Sequence, residues 1–382
     1  MQYCIYPHVT QHINLTMKTF FFTTILFFSV FILQAQIVNI PDANFKNALV
    51  NTNCADLDGD GTLDGDVDTN NDGEIQESEA QAVLSLFVMG KYISSLEGIQ
   101  SFTNILKLFC DENQLSSLDI SQNPNLEVLD CNDNKLTNLD VSQNSNLRSL
   151  YCRNNQLTNL DVSQNSNLRT LSCAINQLTN LNVTQNSNLE TLECSNNLIT
   201  NLNLTQNQNL SVIYCPSNQL ASLNLTQNSN LEILKCNNNL LASLNIKNGN
   251  NHDIWIFDSR NNTNLSCITV DDVTYAYNQV CSTSGWCKDE WTGYNEAIGE
   301  DCILGIQVFN QIVCTIYPNP SQDIIHIESR EPIISVRIYS INGNLIKETS
   351  NNSIRVSELS KGLYFAQINV RGNSITKKFI KD

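Results

Sequence analysis

Apolar residues recur at fixed intervals through the middle of the chain, between about residues 86 and 266. Aligned on seven cysteines, the units read LxxLxCxxNxLxxL, with isoleucine in place of some leucines and small polar residues between them. The alternation over Leu-x-Cys predicts one short strand in each unit, and the Asn- and Ser-rich stretches predict turns. The cysteines follow one another at a spacing of 21 residues: Cys110, Cys131, Cys152, Cys173, Cys194, Cys215 and Cys236.

A fixed period of this length predicts a solenoid in which each unit forms one coil. A single coil cannot bury its leucine row, whereas stacked coils bury a continuous core. Equivalent strands then lie ~4.8 Å apart in a parallel sheet, and equivalent side chains form ladders. The asparagine three residues after each cysteine is expected inside, where a buried amide satisfies backbone groups at the turn.

The cysteine ladder is expected to consist of buried free thiols, because cysteine packs as a small hydrophobic residue. In-register side chains on parallel strands point in the same direction, whereas a disulfide needs Cβ atoms ~3.8 Å apart and a twisted dihedral angle. Disulfides and a metal–thiolate stack are the alternatives, and the second lacks the CxxC spacing of zinc sites.

These units resemble the leucine-rich repeats of bacterial internalins, specifically the cysteine-ladder variety, over residues 86–266. The resemblance implies a β-rich solenoid with a parallel sheet. The terminal coils depart from the template, as expected of coils that cap a stack. The last has Phe257 at the cysteine position, and the first is a longer coil that uses other apolar residues: Leu96, Ile99, Phe102 and Ile105.

Residues 1–35 have the pattern of a leader and signal peptide. Lys18 follows Met17, an alternative start, and precedes an apolar run that leads to Ala35, a small residue near a plausible cleavage site. A membrane anchor is the alternative, but the apolar run of roughly 15 residues is short for the ~20 that span a bilayer. No later segment is apolar enough to span a membrane.

Residues 36–85 are expected to form a helical, EF-hand-like cap at the entrance of the solenoid. Phe45, Ala48 and Leu49 share one helical face, and Asp42 is a suitable N-cap. An acidic stretch follows and has oxygen ligands at positions 1, 3, 5, 7 and 12 of an EF-hand loop, with Gly73 at position 6. Those ligands are Asp68, Asn70, Asp72, Glu74 and Glu79.

The preceding stretch repeats the first half of this loop with Asp56, Asp58 and Asp60, but Val67 stands where the glutamate would fall. We expect Ca²⁺ at the first set and leave open whether a second ion binds here. Sites with dissociation constants on the order of 10⁻⁴–10⁻³ M suffice outside the cell. The alternative is a solvated acidic linker. The expected role of the ion is to hold the cap on the first coil.

Residues 267–307 are expected to form a disulfide-linked cap at the exit, because a secreted chain meets an oxidising compartment. Four cysteines allow three pairings, and we favour Cys267–Cys302 with Cys281–Cys287. The aromatic residues of this segment, Trp286, Trp291 and Tyr294, are expected to cover the open core.

Residues 308–382 alternate apolar and polar positions and have an Asn342-Gly343 turn, which predicts a small β-sandwich. They resemble the C-terminal sorting domain of the type IX secretion system. The resemblance implies contact with the secretion machinery, export across the outer membrane, removal of the domain, and release or attachment at the cell surface. It rests on the segment Tyr317–Pro320, the Ile341–Gly343 turn, the Gly362-Leu363-Tyr364 motif and the basic pair Lys377-Lys378.

The net charge of −17 and a pI near 4.5 argue against nucleic acid and anionic lipid as partners. Of four histidines, only His252 lies outside the leader and the sorting tail. We find no Ser-His-Asp set, phosphate loop or zinc motif. The sequence therefore predicts that the protein is not an enzyme.

We expect a partner to bind the concave face of the solenoid, where side chains flank each ladder cysteine and include tyrosine and arginine, which are common interface anchors. The function predicted is a secreted or cell-surface protein that mediates adhesion or binds an extracellular protein or glycan. A passive structural surface protein and an enzyme acting on extracellular polymers are the alternatives. The candidate residues are Phe109, Asp130, Tyr151, Arg153, Glu193, Tyr214 and Lys235.

Overall fold

The structure, a computed structural model, describes residues 36–297, 314–329, 332–370 and 373–382. The chain divides into two compact units, Met1–Cys302 and Ile303–Asp382, and each is described by itself. The predicted leader, residues 1–35, lies outside the described residues. None of the helices in the described ranges is long and apolar enough to cross a membrane.

The entrance of the first unit begins with helix α1 (Ala43–Asn51). Its N-cap is Asp42, whose carboxylate accepts the N–H groups of Asn44 at 2.9 Å and Phe45 at 3.0 Å. Phe45, Ala48 and Leu49 are buried, as the sequence predicts. Strand β1 (Ala55–Asp56) and the short helix α2 (Glu77–Ala80) follow, and β1 pairs antiparallel with the first coil.

The coils stack through a sheet of eleven strands, and all its pairings except that of β1 are parallel. Equivalent positions pair, so that Leu129 lies beside Leu150 and Leu150 beside Leu171. This confirms the predicted solenoid. In sheet order after β1, the strands are β2 (Ser85–Phe87), β3 (Lys107–Phe109), β4 (Val128–Asp130), β5 (Ser149–Tyr151), β6 (Thr170–Ser172), β7 (Thr191–Glu193), β8 (Val212–Tyr214), β10 (Ile233–Lys235), β12 (Ile256–Asp258) and β14 (Trp286–Cys287).

A second parallel sheet forms on the returning side of the last coils, in the order β15-β13-β11-β9. The leucines of both sides and the ladder cysteines are buried in one continuous core. The strands are β9 (Ser222–Asn224), β11 (Ser243–Asn245), β13 (Cys267–Thr269) and β15 (Gly293–Asn295); helix α3 is Val273–Tyr277, and 3₁₀ turns span Ile99–Ser101 and Asn251–Asp253.

The last coil corrects one expectation. Phe257 pairs with Leu234, so it occupies the leucine slot of the strand and not the cysteine position. Ser259 takes that position instead, because Asn262 donates to its carbonyl at 2.8 Å as the ladder asparagines do to cysteine carbonyls. The coil is longer by two residues. A count at a fixed spacing of 21 residues therefore misplaces Phe257.

The exit of the solenoid is closed by aromatic residues. Trp286 and Tyr294 are buried, and the indole N–H of Trp286 donates to the Ile254 carbonyl at 2.7 Å. Trp291 is 50% exposed, so the expectation that it covers the core is wrong. Cys281 and Cys287 form a disulfide. Cys267 is also disulfide-bonded, and its expected partner, Cys302, lies outside the described residues.

The second unit contains two antiparallel sheets with one core between them, consistent with the predicted β-sandwich. Ile325 and Ile354 of the first sheet are buried with Val336, Ile338 and Phe379 of the second. The first sheet contains β16 (Thr315–Tyr317), β17 (Ile324–Glu328) and β20 (Ser353–Arg355); the second contains β18 (Ile333–Ser340), β19 (Leu345–Thr349), β21 (Gly362–Val370) and β22 (Asn373–Lys381).

Candidate functional site

The asparagine ladder holds each coil to its neighbours directly behind the long sheet. The side-chain amide of Asn155 donates to the carbonyls of Cys131 at 3.0 Å and Cys152 at 3.2 Å, and its oxygen accepts the Leu136 N–H at 2.9 Å. The residue before it, Asn154, has a φ of 52°, which the turn requires. Each turn beside the sheet is therefore fixed by the same set of bonds.

A second row of asparagines, which the sequence analysis missed, joins the coils on the opposite side. Asn144 is fully buried and donates to the carbonyls of Ile120 at 3.1 Å and Asn123 at 2.8 Å. The signal was present in the sequence, because every repeat has an asparagine at this position: Asn123, Asn144, Asn165, Asn186, Asn207 and Asn228.

The seven ladder cysteines are free and buried, as predicted. The Cys110 thiol donates to the Asp130 carbonyl of the next coil at 3.3 Å, and the Cys131 thiol lies 3.4 Å from the Tyr151 carbonyl. Burial raises the pKa of all seven thiols well above its ordinary value. Because the thiolate is the reactive form, these cysteines serve packing.

The outer face of the long sheet is formed by side chains that point away from the core. It is the face that carries the residues predicted for the concave binding surface. The register brings most of the predicted partner-binding residues into one row, at the last position of successive strands. Arg153 lies beside this row and is exposed, since it follows Tyr151 by two residues. From the entrance, the row contains Phe87, Phe109, Asp130, Tyr151, Ser172, Glu193, Tyr214, Lys235 and Asp258.

Neighbours in this row interact in pairs. The Lys235 ammonium lies 5.4 Å from the centroid of the Tyr214 ring, and Ser172 donates to the Glu193 carboxylate at 2.8 Å. At the entrance end, the rings of Phe87 and Phe109 stack with centroids 4.6 Å apart. The sequence analysis missed Phe87 because its coil lacks a ladder cysteine. Phe87 ends the segment Ser-Leu-Phe, which matches Lys-Leu-Phe of β3.

Carboxylates next to the phenylalanine pair are held in an unfavourable environment. Burial raises the pKa of Asp130 to about 6, a bond from the Asn132 N–H at 3.0 Å opposes the rise, and Asp111 and Asp133 add repulsion. Burial also raises the pKa of Asp111, with further repulsion from Glu112 and Asp133. In the described ranges of the chain, no ion pair includes any of these carboxylates.

Acidic side chains of the predicted calcium loop, residues 68–79, accept hydrogen bonds from groups within the same loop. Asp68 accepts the Gly73 N–H at 2.8 Å, and the buried Glu79 carboxylate accepts the Thr69 hydroxyl at 2.9 Å and the Gln76 N–H at 3.0 Å. Gln76 occupies position 9, which the sequence analysis did not assign. The remaining predicted ligands, Asn70, Asp72 and Glu74, accept backbone or side-chain bonds at the loop exterior, where Glu74 pairs with Lys46.

The upstream loop brings three carboxylates together. The ligand atoms of Asp56, Asp58 and Asp64 all lie within 4.8 Å of one another. Among the described residues, these three form the group whose side chains are close enough together to hold a metal ion. Asp64 was missed, although it stands at position 9 of this loop as Gln76 does in the next. The Asp60 carboxylate instead accepts hydrogen bonds from the N–H and the hydroxyl of Thr62, each at 2.7 Å. Both loops offer oxygen donors alone, which fits the preference of Ca²⁺.

Comparison with known families identifies two regions of the chain. Leucine-rich repeats (2 copies) match residues 124–165, and the secretion system C-terminal sorting domain matches residues 315–382. The chain therefore contains leucine-rich repeats and a secretion sorting domain. The sorting domain indicates interaction with the type IX secretion machinery and secretion or attachment at the outer surface. No curated protein matches the chain.

Three solved structures that are similar to this chain come from bacteria. The functional domain of InlJ from Listeria monocytogenes, described as including a cysteine ladder, is 24% identical over 68% of this chain and 70% of that chain, with a TM-score of 0.38. Internalin C2 of the same species is 21% identical over 63% and 98%, with a TM-score of 0.45. A leucine-rich-repeat protein of Leptospira interrogans is 19% identical over 51% and 75%, with a TM-score of 0.36.

Proposed function

We propose that this protein is an adhesion or recognition module that binds an extracellular protein or glycan on the outer face of its long sheet. The observation that carries the proposal is the contrast within each coil. Interior positions are nearly constant, whereas the outward row changes between aromatic, acidic, small and basic residues. Stacking of the coils does not require this variety, because the ladders already join them.

Tyrosines in the row supply the expected anchors. Tyr151 and Tyr214 are half-buried at the ends of β5 and β8, and Arg153 is exposed beside the first. Tyrosine and arginine dominate the binding energy of many interfaces. A passive surface protein remains the second candidate, and the enzyme the third, since neither needs these side chains on one face.

The proposal is tested with the full secreted chain against purified matrix proteins and polysaccharides. We expect a ligand whose affinity falls about tenfold or more when Tyr151→Ala and Tyr214→Ala are combined. The matched control combines Gln156→Ala and Gln219→Ala, which remove exposed side chains from the same two coils. Absence of binding to the whole panel favours the passive protein, and reproducible cleavage of a polymer favours the enzyme.

We also propose that Ca²⁺ binds the two acidic loops and holds the entrance cap on the first coil. The upstream loop supports this through Asp56, Asp58 and Asp64, and Ser85 of the first coil donates to Asp56 at 3.2 Å. A bound ion would offset the repulsion among these carboxylates and fix this contact.

Calorimetry and thermal unfolding of the full chain test the calcium proposal. We expect binding at millimolar Ca²⁺ and a higher unfolding temperature, because an ion that binds only the folded state stabilises it. Asp58→Asn and Asp72→Asn should each weaken Ca²⁺ binding at one of the two loops. The control Asp140→Asn, in a coil turn, should leave the Ca²⁺ titration unchanged. If several millimolar Ca²⁺ produces no heat of binding and no thermal shift, the proposal is wrong.

A further inference from the structure

The entrance end of the outer face, over strands β2 to β5, combines apolar and acidic groups. We call this region the entrance face and define it by Phe87, Phe109, Asp111, Asp130 and Tyr151. All five side chains are half-buried on the same side of the sheet. Neighbouring coils place Phe87, Phe109, Asp130 and Tyr151 ~4.8 Å apart along the row, and Asp111 follows Phe109 by two residues beside it. The region is therefore a compact part of the surface on which the proposed function rests.

The apolar part is a platform of two parallel rings. Phe87 and Phe109 stack at 4.6 Å with 13° between their planes. Met89, which follows Phe87 by two residues just after strand β2, is 43% exposed. An apolar platform on a solvent-facing sheet is stabilised when a partner covers it.

The acidic part carries charge that no ion pair among the described residues neutralises. The Asp111 Oδ1 atom is shielded from solvent and has no hydrogen-bond partner among the described residues. Asp130 is half-buried beside it, and Glu112 and Asp133 add negative charge from the adjoining turns. Carboxylates in such an environment gain most from a cationic donor that reaches them from outside.

We propose that the entrance face docks a lysine- or arginine-bearing segment of an extracellular protein. The cationic group would lie between Asp111 and Asp130, and its aliphatic stem would cover the rings of Phe87 and Phe109. Long cationic side chains present both parts together, and a cation is also attracted to an aromatic face. The proposal rests on the proposed binding function and names the chemistry of its partner.

Other occupants fit the entrance face less well. An anionic polymer is repelled by these carboxylates, and a neutral glycan leaves them without a counter-charge. A lone metal ion is not favoured, because among the described residues the ligand atoms of Asp111, Asp130 and Asp133 do not meet within 4.8 Å of one another. A basic protein segment satisfies both parts of the surface.

The test uses the full chain and three labelled decapeptides of lysine, arginine and glycine–serine at about 150 mM salt, near the ionic strength of body fluids. We expect the two cationic peptides to bind and the neutral one not to bind. Asp111→Asn with Asp130→Asn should lower the affinity at least tenfold. Phe109→Ala should lower it by about threefold or more, in line with a cation–aromatic contact.

A charge-matched control separates a specific site from the general acidity of the chain. Asp140→Asn with Asp161→Asn removes the same two charges from exposed turns, where later repeats naturally have Asn182 and Asn203. We expect the control to change the affinity less than twofold. An equal loss in both double variants would show diffuse attraction and overturn the proposal, as would the absence of cationic peptide binding.

Failure here is distinguishable from failure of the proposed function. If a protein or glycan binds the sheet in a manner sensitive to Tyr214→Ala but not to Asp111→Asn and Asp130→Asn, the binding function stands and the cationic partner is wrong. Circular dichroism of each variant checks that the fold is retained, and Asn132 in the next coil shows that asparagine fits the Asp111 position.

Discussion

The inside and the outside of the same seven coils follow different rules. Inside, Asn134, Asn155 and Asn176 make the same bonds to the same kinds of backbone group. Outside, Asp130 and Tyr151 occupy equivalent positions and share nothing but their place in the register. The difference teaches that the ladders specify the fold, while the outward row is free to specify a partner.

The largest expected effect comes from breaking the interior ladder. Asn155→Ala removes hydrogen bonds to three carbonyls and leaves the Leu136 N–H buried without a partner, whereas the Cys131 and Cys152 carbonyls keep the bonds from Asn134 and Asn176. An unsatisfied buried N–H costs about 1–3 kcal/mol and each lost hydrogen bond about 0.5–1.5 kcal/mol, so we expect a loss of about 3 kcal/mol or more in unfolding free energy. Urea unfolding of the full chain measures it.

The control for that prediction is Gln156→Ala in the same coil. Gln156 is exposed, and substitutions at exposed positions without special contacts change stability by about 0.5 kcal/mol or less. Equal destabilisation by the two variants would contradict the structural role assigned to the asparagine ladder.

A smaller effect is expected from changing the size of the sulfur slot. Cys152→Leu adds volume to a fully buried position between identical coils, and overpacking of this kind typically costs about 1–3 kcal/mol. Cys152→Ala should cost less, because the backbone fits without strain and only a small cavity forms. Thermal unfolding of the two variants decides the order. A leucine variant as stable as the parent would show that the slot is not limiting.

The smallest effect is expected on the outer face, and it depends on pH. The pKa of Asp130, raised to about 6 from 3.8, means that the folded state binds more protons than the unfolded state between these values. Stability from this group therefore falls as the pH rises through that range. Asp130→Asn should raise the unfolding free energy by about 1 kcal/mol at pH 7, after allowance for partial exposure.

The gain should shrink as the pH is lowered and vanish below about pH 3, where the Asp130 carboxyl is protonated in both the folded and the unfolded state. Thermal unfolding at pH 4 and pH 7 measures the difference. A variant that is less stable than the parent at pH 7 would contradict the raised pKa. A gain in stability together with a loss of cationic peptide binding would mark Asp130 as a residue held for function.

The sequence predicted the solenoid, the free thiols and the N-cap at Asp42 because each depends on local pattern or repetition. It misplaced Phe257, since a two-residue insertion in one coil shifts every later position. Phe87 and Asp64 were missed for a related reason. Their positions are visible in the sequence, at the end of Ser-Leu-Phe and at position 9 of the upstream loop, but their contacts arise only from strand register and loop closure.

The repetition of the two asparagine rows has an evolutionary consequence. Each coil bonds to its immediate neighbours through identical contacts, so gain or loss of one 21-residue unit would recreate the junction that was there before. Gene slippage could then lengthen or shorten the display surface by ~4.8 Å at a time, with the end caps unchanged. Selection could add new side chains for recognition without having to solve the folding problem again.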